Sequence, residues 1–252
     1  MNPSKDTLCR FLANINFNFS CIIDVGVLTQ THELLKYFKT TKQILIEPQK
    51  KYFPIIENNY KYHNFELLNL GCDKEPGEFY LQEKNVLDNM KGLPTHNQIT
   101  KENTGITVKV DTLNNIAKGI DNWILLKIDV DGKEVDILKG AYDCLKKTAI
   151  VIIEAHFNRF KDIVDIMHEQ NFVVFNIVDI CYLKSSFWQC DLVFINNDVR
   201  NLHPEFNPSH FWKSKDSIFK HHYRQYAPPK SKPTNKINRN SKVVRPRFKM
   251  FN

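Results

Sequence analysis

The sequence predicts an α/β fold: a mostly parallel sheet of seven strands with an antiparallel last strand and helices on both faces. Three observations predict it. Short, continuously apolar runs such as QILI and AIVII recur along the chain and end in turn residues, the mark of strands buried on both faces. Amphipathic helical patterns separate them, which requires crossovers and hence parallel strands. The last two runs, NFVVFNIVD and QCDLVFINN, have no helical pattern between them, so they pair antiparallel.

Each element follows in chain order. FSCIIDVG (19–26) is a buried strand ending in a turn, and THELLKYFK is a helix with Leu34, Leu35 and Phe38 on one face. QILIEP is the second strand, stopped by Pro48; KKYFPIIENNYK is a helix, and FELLNLG the third strand. GEFYLQ reads as a small exposed strand, and residues 85–105 have no period, as in a long loop or insert. ITVKVDTLNNIA passes from a short strand into a helix capped by Asp111. WILLKIDVDG is a strand, VDILKGAYDCLKK one helix, AIVIIEAH a strand, and FKDIVDIMHEQ a helix before the final pair.

Composition narrows the classes. A chain of 252 residues, 42% hydrophobic and 25% charged, suits one large globular domain with an appendage. No run approaches the ~18 apolar residues of a membrane span. The first 20 residues lack the apolar core and small-residue cleavage site of a secretory signal. The six cysteines form no CxxC pair and read as buried thiols of a cytoplasmic protein, not as disulfides or a zinc site. The net charge of +7 is unevenly spread: residues 212–252 hold 12 Lys or Arg and one Asp, or +11, which leaves −4 for the rest. The expected division is a folded body over residues 1–211 and a basic, flexible tail over 212–252.

In such sheets ligands sit beyond the carboxyl ends of the strands, where strand order reverses. Asp24, Glu47, Asp129, Asp131 and Glu154 all fall at or just past predicted strand ends. Acids gathered on one rim repel one another unless a ligand or metal answers them. Any one alone reads as a helix cap, and Asp131 or Gly132 would cap VDILKGA. Glu47 is the most informative, because an acid ending the second strand accepts both ribose hydroxyls of a nucleoside cofactor. A dinucleotide also needs GxGxxG after the first strand. The loop here, DVGVLTQTHE, offers only Gly26, which argues against NAD-linked chemistry. A cofactor with a ribose and no phosphate fits better, and S-adenosylmethionine meets that description.

The motifs then converge. LLKIDVDGKEVDILKGA is similar to the K-I-D-x-E-G-x-E-x-x-x-L-x-G-A block of the FkbM-type S-adenosylmethionine-dependent methyltransferases, with Asp131 where that family usually has Glu. IIDVG, LIEPQKKYFPIIENN, LNLGCDKEPGEFYL, VKVDTLNNI, VIIEAH and WQCDLVFI resemble the family's other segments in order, from about Ile22 to Ile195. The resemblance implies a Rossmann-like class I methyltransferase fold. It makes Asp24, Gly26, Glu47, Leu70 and Asp129 the candidate cofactor-binding residues. One departure stands out: Val27, Leu28 and Gln30 follow Gly26 where the family usually has a small residue, an Asn and a second Gly. Their bulk is expected to narrow the methionine pocket or weaken cofactor binding.

The resemblance further implies O-methylation of a hydroxyl on a sugar, glycan or similar small metabolite. The protein must align the acceptor oxygen with the methyl carbon and help remove its proton. Asp129 is the candidate positioning group and His156, just past the fifth main strand, the candidate base. Asp129, Asp131 and Glu154 are alternative ligands for a divalent cation that lowers the hydroxyl's pKa. The tail supports a different class: twelve basic residues interspersed with Tyr223, Tyr226, Phe248 and Phe251 suit RNA, DNA or an anionic surface. On that reading the protein methylates or binds nucleic acid, with or without a working cofactor site.

Overall fold

The structure is a computed structural model that describes residues 3–84 and 96–206. The basic tail therefore lies outside the described residues, as does the 85–95 part of the expected insert. In chain order the elements are α1 (Lys5–Asn14), β1 (Cys21–Val25), α2 (His32–Tyr37), β2 (Gln43–Ile46), α3 (Phe53–Tyr60), β3 (Phe65–Leu68), β4 (Gly71–Cys72), β5 (Gly77–Lys84), β6 (His96–Thr100) and β7 (Thr107–Asp111). They continue with α4 (Leu113–Ile116), β8 (Ile124–Ile128), α5 (Glu134–Lys139), α6 (Tyr142–Lys146), β9 (Thr148–His156), α7 (Phe160–Glu169), β10 (Phe172–Leu183), β11 (Ser186–Asn196) and α8 (Asn197–Leu202).

The main sheet has seven strands in the order β10-β11-β9-β8-β1-β2-β3. All neighbours are parallel except β11, which runs antiparallel to both β9 and β10. The last described strand is thus inserted one place in from the edge. Strand order reverses between β1 and β8, which places the ligand crevice at their carboxyl ends.

Alternation along the strands divides the core. Cys21, Ile23 and Val25 of β1 face one side with Ile137, Leu145, Ile163 and Met167 of α5, α6 and α7. Ile22, Leu125 and Ile152 face the other, against Leu8 and Leu12 of α1, Leu34 of α2 and Val199 of α8. Period-2 strands filled on both faces explain the unbroken apolar runs.

Several expectations need correction. GEFYLQ is not an exposed strand: Phe79 and Leu81 of β5 are buried, because β4, β7, β5 and β6 form a second, four-stranded sheet. Residues 96–100 of the supposed loop are β6, whose polar sequence HNQIT hid the pairing. Asp111 does not cap α4; Thr112 does, accepting the Asn115 N–H at 3.2 Å. VDILKGAYDCLKK is two helices, interrupted at Gly140, where a Cβ would lie 2.6 Å from the Asp73 carbonyl oxygen. The final hairpin is longer than expected, since β10 and β11 continue to a turn at Lys184 and Ser185.

Candidate functional site

Gly26 fixes the centre of the crevice. Its φ is +84°, and a Cβ there would fall 2.0 Å from the Asp129 carbonyl oxygen. Only glycine lets the β1 loop turn left-handed and press against the end of β8. The Asp129 N–H completes the contact by donating to the Val25 carbonyl at 3.0 Å. Two cavities meet at Gly26, Leu28 and residues Asp129 to Asp131.

The first cavity opens toward β2 and the second sheet. Ile46, Cys72, Leu81, Ile99 and Val130 supply apolar walls, and Glu47 supplies a carboxylate. Glu47 is 4% exposed and feels the nearby Lys51 charge. It accepts the Leu28 N–H at 3.0 Å and the Gln49 N–H at 2.8 Å. Burial pushes its pKa up to about 7, against the pull of those two donors. The Leu28 bond matters locally, because Leu28 adopts φ +54°, a left-handed backbone that favours glycine or asparagine. The Glu47 carboxylate holds that strained turn closed, while Asn59 and Tyr60 of α3 tie down Thr29 and Thr31.

All three bulky loop residues reach the crevice. Val27 packs with buried Leu45, Tyr52 and Ile56 and also lines the second cavity. Leu28 lines both cavities, and exposed Gln30 lines the second.

The second cavity lies toward α1 and α2 and is charged. Asp24 and Lys127 sit in register on adjacent strands, on the face covered by α1 and α2. The Lys127 Nζ lies 3.3 Å from Asp24 and 3.1 Å from Asp129, and both Lys127 and Asp24 are buried. Burial opposes the ammonium charge, yet Asp129 and Asp24 outweigh it and raise the Lys127 pKa. Burial likewise opposes ionisation of Asp129, but Lys127 and Lys5 hold its carboxyl below the ordinary value. Asp129 is the outward member of the three, its side chain 37% exposed. Lys5, the first residue of α1, reaches the same cavity and pairs with buried Asp191 of β11 at 2.8 Å.

Glu154 closes the far side of this cavity. It lies within β9, accepts the Gln189 Nε2 at 2.6 Å, and stands 3.5 Å from His156 Nε2. Burial, then the charges of Asp129 and Glu134, push its pKa up to about 8. His156 ends β9 and sets its ring edge-on to Trp188, centroids 5.7 Å apart.

Each of the rim acids has a protein partner. Asp131 accepts the Asn97 N–H at 2.8 Å and caps no helix; α5 begins after Lys133 without a side-chain cap. Asp129 is held by Lys127 and Glu154 by Gln189. Among the described residues no three His, Cys, Asp or Glu come together as a metal site. Leu70 is half-buried and packs on the core beside Leu68, outside the residues lining either cavity.

Lys127, Lys5, Gln189 and Glu134 are the site groups that the sequence reading missed. Lys127 left a signal: a lysine inside the apolar run ILLKI, two residues before Asp129 and so on the same strand face. Glu134 is buried and folds back to accept the Gly132 N–H at 3.1 Å, with burial raising its pKa to about 7. Lys5 and Gln189 reach the site only through tertiary packing.

Comparison with known proteins adds the following. The family described as "Methyltransferase FkbM domain" matches residues 13–174. No curated protein matches the chain. Solved structures with similar folds include a Streptococcus mutans protein described as a methyltransferase, in complex with SAH, at 10% identity. It covers 77% of this chain and 98% of its own, with a TM-score of 0.46. Magnesium protoporphyrin IX methyltransferase from Synechocystis, with SAM bound, is 9% identical over 76% of this chain and 77% of that one, TM-score 0.45. An rRNA methylase from Streptococcus thermophilus is 12% identical over 75% and 94%, TM-score 0.43. These likenesses extend to no substrate.

Proposed function

The chain belongs to the FkbM methyltransferase family, and from that premise we propose that it methylates a hydroxyl of an uncharged small molecule, a sugar or glycan foremost. Its methyl donor is S-adenosylmethionine, and the residues present fit that group. A cavity with apolar walls and one buried carboxylate has the chemistry of a nucleoside site: the walls take the base, and Glu47 takes the ribose hydroxyls. Both Glu47 oxygens accept a backbone N–H, and each has a further lone pair for a hydroxyl. Bound, the donor supplies an electrophilic methyl group on a cationic sulfonium. Asp129, held ionised by Lys127, offers a fixed negative charge where the two cavities meet.

On the acceptor side, His156 and Glu154 stand 3.5 Å apart, two groups able to hold and receive the hydroxyl proton. A carboxyl whose pKa lies near neutrality sits where a general base works best. One observation carries the choice of an uncharged acceptor: both lysines lining this cavity, Lys5 and Lys127, are already paired with carboxylates. Asp131 and Glu33, which also line the cavity, repel a phosphate.

Calorimetric titration with S-adenosylmethionine, with NAD as control, tests the cofactor half. Micromolar binding that Glu47→Ala abolishes is the expected result; no binding by folded protein sinks the reading. Production of S-adenosylhomocysteine with neutral glycosides and not with RNA tests the acceptor half. The reverse outcome returns the function to the basic tail.

A further inference from the structure

Two large aromatic side chains stand in solvent at the rim of the acceptor side. Phe157, the residue after β9, is 55% exposed, and Trp188 of β11 is 40% exposed. Single exposed aromatics are ordinary, but this pair is contiguous and held. Their rings lie 5.7 Å apart at an interplanar angle of 39°, and the Phe157 N–H donates to the Trp188 carbonyl at 2.9 Å. His156 packs edge-on against the indole, and His156 in turn meets Glu154, which lines the acceptor cavity. An unbroken line of contacts thus runs from the exposed indole to the site.

Resting on the methyl-transfer reading above, we propose that Trp188 and Phe157 form a stacking subsite that holds an uncharged pyranose ring of the acceptor beside His156 and Glu154. The chemistry matches on both sides of such a ring. Its C–H face needs a flat apolar surface, which the exposed aromatics provide. Its hydroxyl edge needs planar polar groups alongside, and the neighbours are the His156 ring, the Gln189 amide and the Glu154 carboxylate. A nucleobase also stacks, but it brings phosphates toward the carboxylates of Asp129, Asp131 and Asp191.

The test is saturation-transfer NMR on the full chain with methyl glycosides of rhamnose, fucose, mannose and galactose, and oligouridylate as the anionic control. Wild type and the variants Trp188→Ala and Trp188→Phe are compared, and S-adenosylmethionine binding is measured on the same samples. Ring-proton signals from at least one glycoside, weakened at least about tenfold in affinity by Trp188→Ala and kept within about threefold by Trp188→Phe, support the subsite. Signals from no glycoside, signals unchanged in Trp188→Ala, or signals from oligouridylate alone overturn it. Loss of S-adenosylmethionine binding in wild type, with glycoside signals present, overturns the cofactor reading and leaves the subsite standing.

Discussion

The two cavities that meet at Gly26 hold their carboxylates by opposite means. On the α1 and α2 side, Asp24 and Asp129 share a buried ammonium, which holds the Asp129 carboxyl ionised. On the β2 side, Glu47 accepts two backbone N–H groups in an apolar wall and its pKa stays near neutrality, so its charge depends on pH and on what binds. The difference teaches how one crevice can serve two ends of a reaction. A permanent charge suits the place where the two cavities join, and a tunable one suits a ligand that brings hydroxyl donors.

Breaking the fixed side has the largest expected effect. Lys127→Met leaves Asp24 buried and Asp129 without its partner, a loss on the order of 3–5 kcal/mol that urea unfolding reads directly. Lys127→Met with Asp24→Asn recovers part of it, because the stranded charge is gone. The pH dependence has a definite sign. Asp129 titrates below its ordinary value of 3.8, so its contribution is present above that value and is lost as pH falls through the lowered one. Lys127 titrates above 10.5, so its contribution is present below 10.5 and disappears only in stronger alkali. Wild type and Lys127→Met should therefore converge in stability in strong acid; equal stability at pH 7 would show that the pair contributes nothing net.

Asp24 and Asp129 share one lysine, yet they should separate in function. Asp129→Asn is expected to fold and to lose about two orders of magnitude in turnover, because its carboxylate faces the crevice. Asp24→Asn changes a fully buried group and is expected to cost stability first. Steady-state methylation together with thermal unfolding of both variants decides the matter. Wild-type turnover in Asp129→Asn removes that residue from the site.

On the tunable side the expected effect is smaller and depends on pH. Burial holds Glu47 near pKa 7, so ionising it costs folding stability as pH rises from about 4.5 through 7. Ribose hydroxyls donate to the ionised form, so S-adenosylmethionine affinity should rise between pH 6 and 8. Glu47→Gln should flatten that slope and weaken binding at pH 8 by ~1–3 kcal/mol, as for a lost charged hydrogen bond. A slope that persists in Glu47→Gln would move the titrating group elsewhere, with Glu134, also near 7, the first alternative.

How much of this the sequence disclosed follows from the range of the interactions. The central strands of the main sheet were legible because burial on both faces writes itself as unbroken apolar runs such as ILLKI and AIVII. The second sheet was only partly legible. Its strands pack one face at most, and HNQIT carries almost no apolar signal. Glu47 and Asp129 could be placed from strand ends alone. Their partners could not: the acids looked unanswered because Lys127 was read as part of a strand, and Lys5 lies far away in sequence. The capping role given to Asp131 failed for the same reason, since its partner is the Asn97 N–H of β6.

Lys5 carries the smallest expected effect, and it tests how far α1 belongs to the site. It precedes the 13–174 family match, yet its ammonium lines the acceptor cavity and meets Asp191 at 2.8 Å. Burial opposes its charge, and Asp191 outweighs burial to raise its pKa. Lys5→Met should cost about 1–2 kcal/mol, as for a charge-assisted hydrogen bond that is not fully buried. A double-mutant cycle with Asp191→Asn isolates that pair. Lys5 also helps to lower the Asp129 pKa, so removing it should move the acid limb of the turnover profile to higher pH. A stability loss with an unmoved acid limb would make α1 a packing element alone. A shifted limb would make Lys5 part of the electrostatic control of Asp129, a role that the family match by itself would not reveal.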